Sequence, residues 1–215
     1  AATWERNLAN MATLRALEEV GELQEAWRRA ADWRVEAQNR GDIYAQTTAT
    51  LYLGFAKLVG GDADQAQTMA RLALAPWPAA PPAFQEFYRL RLEAFAELYR
   101  GQPRAALDIV TQAERVLRAA RLERAPMAIL EVGLLRVRSQ LSLARNGPDR
   151  ARALAACERE IARLDALGRA DASGYAALSQ AGVDALRGQR DRAFANLAVA
   201  RAKFDRAVGF RRRTV

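Results

Sequence analysis

Residues 58–78 read LVGGDADQAQTMARLALAPWP. Gly61 precedes Ala66 by five positions, and Ala70 and Ala73 follow at helical spacing. A glycine that closes one helix and an alanine where the next must pack closely explain this pattern. Such a joint should recur along the chain, and it does. Gly21 precedes Ala26 in GELQEA, Gly101 precedes Ala106 in GQPRAA, Asn146 precedes Ala151 in NGPDRA, and Gly188 precedes Ala193 in GQRDRA. The five joints start 40, 40, 45 and 42 residues apart. Near-regular recurrence of one joint marks a helical-hairpin repeat.

Apolar residues recur at helical spacing almost throughout, and the breaks carry Gly, Pro or Asn. Ten helices are predicted, over 3–20, 22–39, 42–59, 62–75, 82–100, 103–121, 125–145, 149–167, 171–187 and 190–208. No segment alternates as a strand does. The expected fold is all-α, a right-handed helical-hairpin solenoid forming one repeat domain over 1–215. Its pairs are expected near 1–40, 41–81, 82–122, 123–168 and 169–215. Gly and Asn tolerate the left-handed backbone that ends a helix, and Pro103 and Pro148 suit a helix start. The one long irregular stretch is APWPAAPP, 75–82, where Trp77 is expected to fill a groove between the second and third pairs.

The composition limits the chemistry. There is no histidine, which excludes histidine-assisted nucleophilic catalysis and His-containing metal sites. The single Cys157 cannot form an internal disulfide, and in ALAACERE it reads as a packed thiol. Nothing resembles a kinase glycine loop, a His-Arg-Asp catalytic loop, an Asp-Phe-Gly motif or GxxxxGK[ST]. Gly60, Gly61 and Asp62 lie between helices, so they read as a turn rather than a phosphate cradle. The acidic pairs Glu18 and Glu19, and Glu158 and Glu160, read as solvated helix faces. No catalytic residue, cofactor or metal is expected, and no enzymatic activity of this chain. No uncharged apolar run approaches the roughly 20 residues that span a bilayer. The start, AATWERNLANM, carries charges and no signal-peptide core, so the expected setting is the cytoplasm. The chain reads as a piece of a larger one that begins inside a helix, and the terminal FRRRTV as a helix end.

The net charge is +8, and all the cations but Lys57 and Lys203 are arginine. A GC-rich genome produces this bias, so the charge does not by itself call for a nucleic-acid partner. Arg115, Arg118 and Arg121 fall on one predicted helix face, with Glu114 and Glu123 beside them.

The stretch from Gly54 to Pro78 resembles a tetratricopeptide repeat. Gly54 falls on the small position of its first helix, Gly61 on the turn, Ala66 and Ala73 on the second helix, and Pro78 on the terminating proline. Ala94, Gly101, Ala106 and Ala113 follow the pattern with Arg118 in place of the proline. Ala181, Gly188, Ala193 and Ala200 do so with Asp205 there. The spacing exceeds the family's usual 34 residues or so, which implies longer helices. A narrower resemblance spans NRGDIYAQTTATLYLGF, ALAPWP, FQEFYRLRLEAFAELYRGQPRAAL, RVRSQLSLAR and ALRGQRDRAFANLAVARAKFDRAVGFRRR. This order is similar to the C-terminal region of bacterial serine/threonine protein kinases that also carry an AAA-type ATPase module.

The resemblance implies a non-catalytic region that binds or senses a protein or peptide partner. In a hairpin solenoid the first helix of each pair lines the concave face. The fifth predicted helix carries Phe84, Phe87, Tyr88, Phe95 and Tyr99. Tyr88, Arg91 and Phe95, with Arg136 and Gln140 on the seventh, are the candidate partner-binding residues, supplying aromatic anchors and donors to carboxylates. The competing reading makes the phenylalanines core. The carboxylate clamp of chaperone-binding repeats is missing: Met11, Leu51, Arg91, Arg136 and Leu178, then Arg15, Phe55, Phe95, Gln140 and Gly182, stand where Lys and Asn are needed. Three other readings stay open: the repeat region of an ATPase-type transcriptional regulator that senses a small molecule or protein inhibitor, a nucleic-acid surface, and self-association.

Overall fold

The turn residues set where each helix stops. The computed structural model describes residues 2–213, with side chains described for 3–207. Among these residues there are ten helices and no strand. They are α1 (Ala2–Val20), α2 (Leu23–Asn39), α3 (Ile43–Val59), α4 (Ala63–Leu74), α5 (Ala83–Tyr99), α6 (Pro103–Ala119), α7 (Pro126–Asn146), α8 (Arg150–Asp165), α9 (Ala170–Leu186) and α10 (Arg190–Arg213). α10 runs past the predicted end at 208 into FRRRTV. The last two residues of that stretch, and all its side chains, lie outside the described residues. No described helix is long and apolar enough to cross a membrane.

One closure recurs at the helix ends. Gly21 and Gly61 have φ of 85° and 90°, in the left-handed region that glycine enters without a Cβ penalty. That twist lets the following amide reach back five residues: Glu22 N donates to Leu17 O and Asp62 N to Lys57 O, both at 2.9 Å. The same bond forms from Asp42 to Ala37 and from Gln189 to Asp184. Arg121 stands where the other turns use glycine, at φ 57°, and Leu122 N still reaches Leu117 O at 2.8 Å. α6 has already ended at Ala119, so Arg121 does not continue the face of Arg115 and Arg118.

The following helix starts in a fixed register. Residues Glu22, Asp62, Gln102, Asp149 and Gln189 each accept through their carbonyl from an alanine four positions on. Those alanines are Ala26, Ala66, Ala106, Ala153 and Ala193, bonded at 3.0 to 3.1 Å and all buried. The starts are therefore 40, 40, 47 and 40 residues apart. This corrects the fourth joint. Asn146 is the last residue of α7, Gly147 is extended with φ −103°, and Ala151 is exposed. The Gly147–Pro148 pair delays α8 by two residues, so Ala153 takes the packing place expected for Ala151.

The chain divides into two compact units, Ala1–Arg100 and Gly101–Val215. The boundary falls within the predicted third pair, so α5 belongs to the first unit and α6 to the second. In the first unit each helix packs on the next, and α3 also lies along α5. One core joins Leu14, Ala26, Ala30, Trp33, Ala45, Ala49 and Tyr52 from α1, α2 and α3. Another joins Leu51, Leu58, Ala66, Ala70, Ala73, Leu92 and Ala96 from α3, α4 and α5. Asp42 caps α3 by accepting from Ala45 N at 3.0 Å, and its other carboxylate oxygen accepts from Asn7 Nδ2 on α1 at 2.9 Å. Trp77 turns back onto α3: its Nε1 donates to Thr47 Oγ1 at 2.8 Å, and that hydroxyl donates to Ala73 O at 2.9 Å. In the second unit the successive helices α6 to α10 also pack pairwise, and α7 lies along α9. Its core gathers Leu130, Leu134, Val137, Leu154, Cys157, Leu164, Ala176 and Val183.

Two stability measurements follow. A Cβ at Gly54 would run into Leu92 Cδ2, which is fully buried. Gly54→Ala should destabilise the protein by about 1 kcal/mol, an overpacking cost of ~1–3 kcal/mol less alanine's helix gain. In a Leu92→Val background, which removes that methyl, the same change should stabilise, and thermal melts of the four proteins read the sign reversal. Arg121→Gly should raise stability by about 0.5–1 kcal/mol, because the left-handed strain of an L-residue exceeds glycine's extra entropy. Arg121→Ala should gain nothing.

Candidate functional site

α5 turns one face into the core of the first unit and leaves another half open. Gln85, Phe87, Leu90, Leu92, Ala94 and Ala96 are buried. Phe87 is thus core, as one of the two readings of these phenylalanines holds. Phe84, Tyr88, Arg91 and Phe95, spaced by three or four residues, are half-buried and share a stripe. On the flank, Arg89 binds Glu86 and Glu93, each at 2.6 Å. The hydrogen bond to Glu86 and the field of both carboxylates hold the Arg89 guanidinium above its ordinary pKa, against the cost of burial.

α3 completes the surface. The 40-residue register that relates the joints also relates Phe55 to Phe95, and their rings meet edge-on with centroids 5.7 Å apart. The Arg91 guanidinium carbon lies 4.4 Å from the Phe55 ring centroid, 5.4 Å from that of Phe95 and 6.0 Å from that of Tyr88. A cation over three ring faces is attracted by each quadrupole, and the rings fix the plane of the guanidinium. Phe87 and Tyr88 add a tilted ring pair at 5.6 Å. Tyr52 is buried beside them. Burial first, then the neighbouring Tyr88 and Glu18, push its phenol well above the ordinary value, so it stays protonated. Thr48, Leu51, Tyr52, Phe55, Tyr88 and Arg91 leave a recess of only about 10 Å³. That holds at most a water, so the arrangement presents a surface rather than a small-molecule pocket.

The structure thus brings Tyr88, Arg91 and Phe95 together and adds Phe55 and Tyr52. The register held the signal for Phe55, since it stands 40 residues before Phe95. Arg136 and Gln140 belong to the second unit. Arg136 Nη2 binds Glu114 Oε2 at 2.5 Å and its Nη1 reaches Glu160 Oε1 at 3.5 Å. It ties α7 to α6 and α8, and a partner's carboxylate would have to displace those acids. Gln140 is half-buried and lines a cleft with residues of α6 and α8. Cys157 is buried with its thiol 3.6 Å from Val137 O, and burial pushes its pKa up to about 12. Among the described residues no three His, Cys, Asp or Glu gather as metal ligands.

No protein-family model matches the chain, and no curated protein or solved structure matches it.

Charge reversal at Arg136 should therefore act on stability. Arg136→Glu sets three carboxylates together at partly buried positions and should destabilise the fold by about 1–2 kcal/mol, between the values for exposed and buried pairs. Arg201→Glu, on an exposed stretch of α10, should leave the melting curve in place.

Proposed function

We propose that the chain is a non-catalytic docking region, a tetratricopeptide-like helical-hairpin solenoid that holds a protein or peptide partner. The observation that carries this reading is the α3–α5 face of the first unit, where Phe55, Tyr88 and Phe95 are half-exposed around the stacked Arg91. Rigid aromatic side chains around one arginine are the composition of interface hot spots. The recess beneath them admits no side chain, so a partner lies across the face, as an extended segment or a helix. The recurring joint at 40, 40, 47 and 40 residues and the packed consecutive helices support the repeat assignment. Placement in a cytoplasmic bacterial signalling protein, downstream of a serine/threonine kinase and an AAA-type ATPase module, rests on the sequence resemblance. Docking there would act by favouring one arrangement of the upstream module. The alternative parent is an ATPase-type transcriptional regulator, which a neighbouring DNA-binding domain would mark.

The test is a peptide-display selection on the full chain, followed by affinities for Phe55→Ala and Arg91→Lys. Arg91→Lys keeps the charge and loses the planar stacking, and should weaken selected peptides by about tenfold or more. Phe55→Ala should do the same. Unchanged affinity in both variants would overturn the assignment of this face.

A further inference from the structure

We infer that the cleft between α6, α7 and α8 binds a small polyanion, a short chain of phosphate groups held by Arg104, Arg152 and Arg159. The cleft lies wholly in the second unit and the inference does not depend on the α3–α5 face. It measures about 420 Å³, within the range of small-molecule sites. Arg104 projects from the first turn of α6, and Gln140 and Leu143 come from α7. Asp149 precedes α8, and Arg152, Ala153, Ala156 and Arg159 follow one face of it. Gly147 and Pro148 line it too. The cleft thus sits at the one joint where the 40-residue register stretches to 47.

The charge balance is what selects the ligand. Arg104, Arg152 and Arg159 have no hydrogen-bond or ion-pair partner among the described residues. Glutamates of α6 and α8 are engaged elsewhere, while Asp108, four residues after Arg104 on α6, is exposed and does not line the cleft. Glu158 binds Arg187 at 2.6 Å, Glu160 binds Arg163 at 3.1 Å and reaches Arg136, and Glu114 binds Arg136 at 2.5 Å. Asp149 is the only acid lining the cleft, and it is exposed and makes no side-chain cap bond. Three guanidiniums against one carboxylate in a concave site focus a positive potential. Each guanidinium offers a planar fork that matches two phosphate oxygens. Arg152 and Arg159 lie two helical turns apart, about 10 Å along the axis. A chain of phosphates carries more charge and more acceptor oxygens than one orthophosphate, and so can serve all three guanidiniums at once. The apolar wall of Leu143, Pro148, Ala153 and Ala156 would also accept the base of a nucleotide.

The experiment is calorimetric titration of the full chain at low salt, roughly 50 mM, with inorganic tripolyphosphate, orthophosphate and metal-free ATP in separate arms. Tripolyphosphate should bind at least about tenfold more tightly than orthophosphate, and the Arg152→Gln/Arg159→Gln double variant should lose about tenfold or more of that affinity. Arg201→Gln, on the exposed face of α10, is the control that should bind as the parent does. Coincident thermal melts show that the double variant is folded, and if it is not, the single Arg104→Gln variant serves the same comparison. ATP binding more tightly than tripolyphosphate identifies a nucleotide as the source of the phosphates, and equal binding identifies the bare chain. No tripolyphosphate binding, equal binding of orthophosphate, or equal binding by parent and folded variants would overturn the inference.

Discussion

The constraint on which the rest depends is close helix approach. Two helices reach the shorter end of the 8–10 Å range of axis separations only where the facing side chains are small. α4 shows it in simplest form, burying four alanines, Ala63, Ala66, Ala70 and Ala73. The first helices supply the complementary gaps. A Cβ at Gly133 would sit 2.8 Å from Leu164 Cδ2, and one at Gly174 would sit 2.8 Å from Phe204 Cε1. Gly54 faces Leu92 in the same way. A large apolar side chain from one helix thus fills the space left by a missing one on another. This is why an alanine-rich chain with few aromatics can still build continuous cores. It is also why each joint needs its alanine at a fixed distance from the turn.

Much of this was legible in the sequence because the turn and the crossing are both local. A glycine that must be left-handed and an alanine one turn into the next helix are separated by a fixed number of bonds. Gly21, Gly61, Gly101 and Gly188 keep that distance. The fourth joint failed because Asn146 and Ala151 imitate the spacing while Gly147 and Pro148 change the chain path between them. Counting from the turn residue gave the wrong alanine there, and counting from the residue whose carbonyl opens the helix gives Ala153. Arg121 escaped for a related reason: unlike glycine or asparagine, an arginine does not announce a left-handed backbone.

The candidate surface was half legible. Spacing by three and four places Tyr88, Arg91 and Phe95 on one stripe whatever the tertiary fold. Which helix lies beside that stripe is a matter of packing, and only the α3–α5 contact brings Phe55 and Tyr52 to it. Arg136 shows the opposite case. The 45-residue spacing made it the counterpart of Arg91, but the 47-residue register sets it two positions out of step, and Glu114 and Glu160 close on it, whereas Arg91 lies over aromatic faces. The neighbouring helices decide the chemistry of each arginine.

The arginine excess takes on meaning through its partners rather than its number. A compositional bias toward arginine scatters guanidiniums over most of the helices, and carboxylates placed against them offset part of that charge. They do so along α2, where Glu25 binds Arg28 at 2.7 Å and Arg29 at 2.6 Å. Those bonds hold the Glu25 carboxyl down to about 2. On α8, Glu158 binds Arg187 at the end of α9, and Glu160 reaches Arg136 on α7 and Arg163 on its own helix. The guanidiniums on the cleft side of the same helix are left to solvent. What the fold adds is their convergence: the joint where the repeat changes length brings Arg152 and Arg159 of α8 to one cleft with Arg104 of α6.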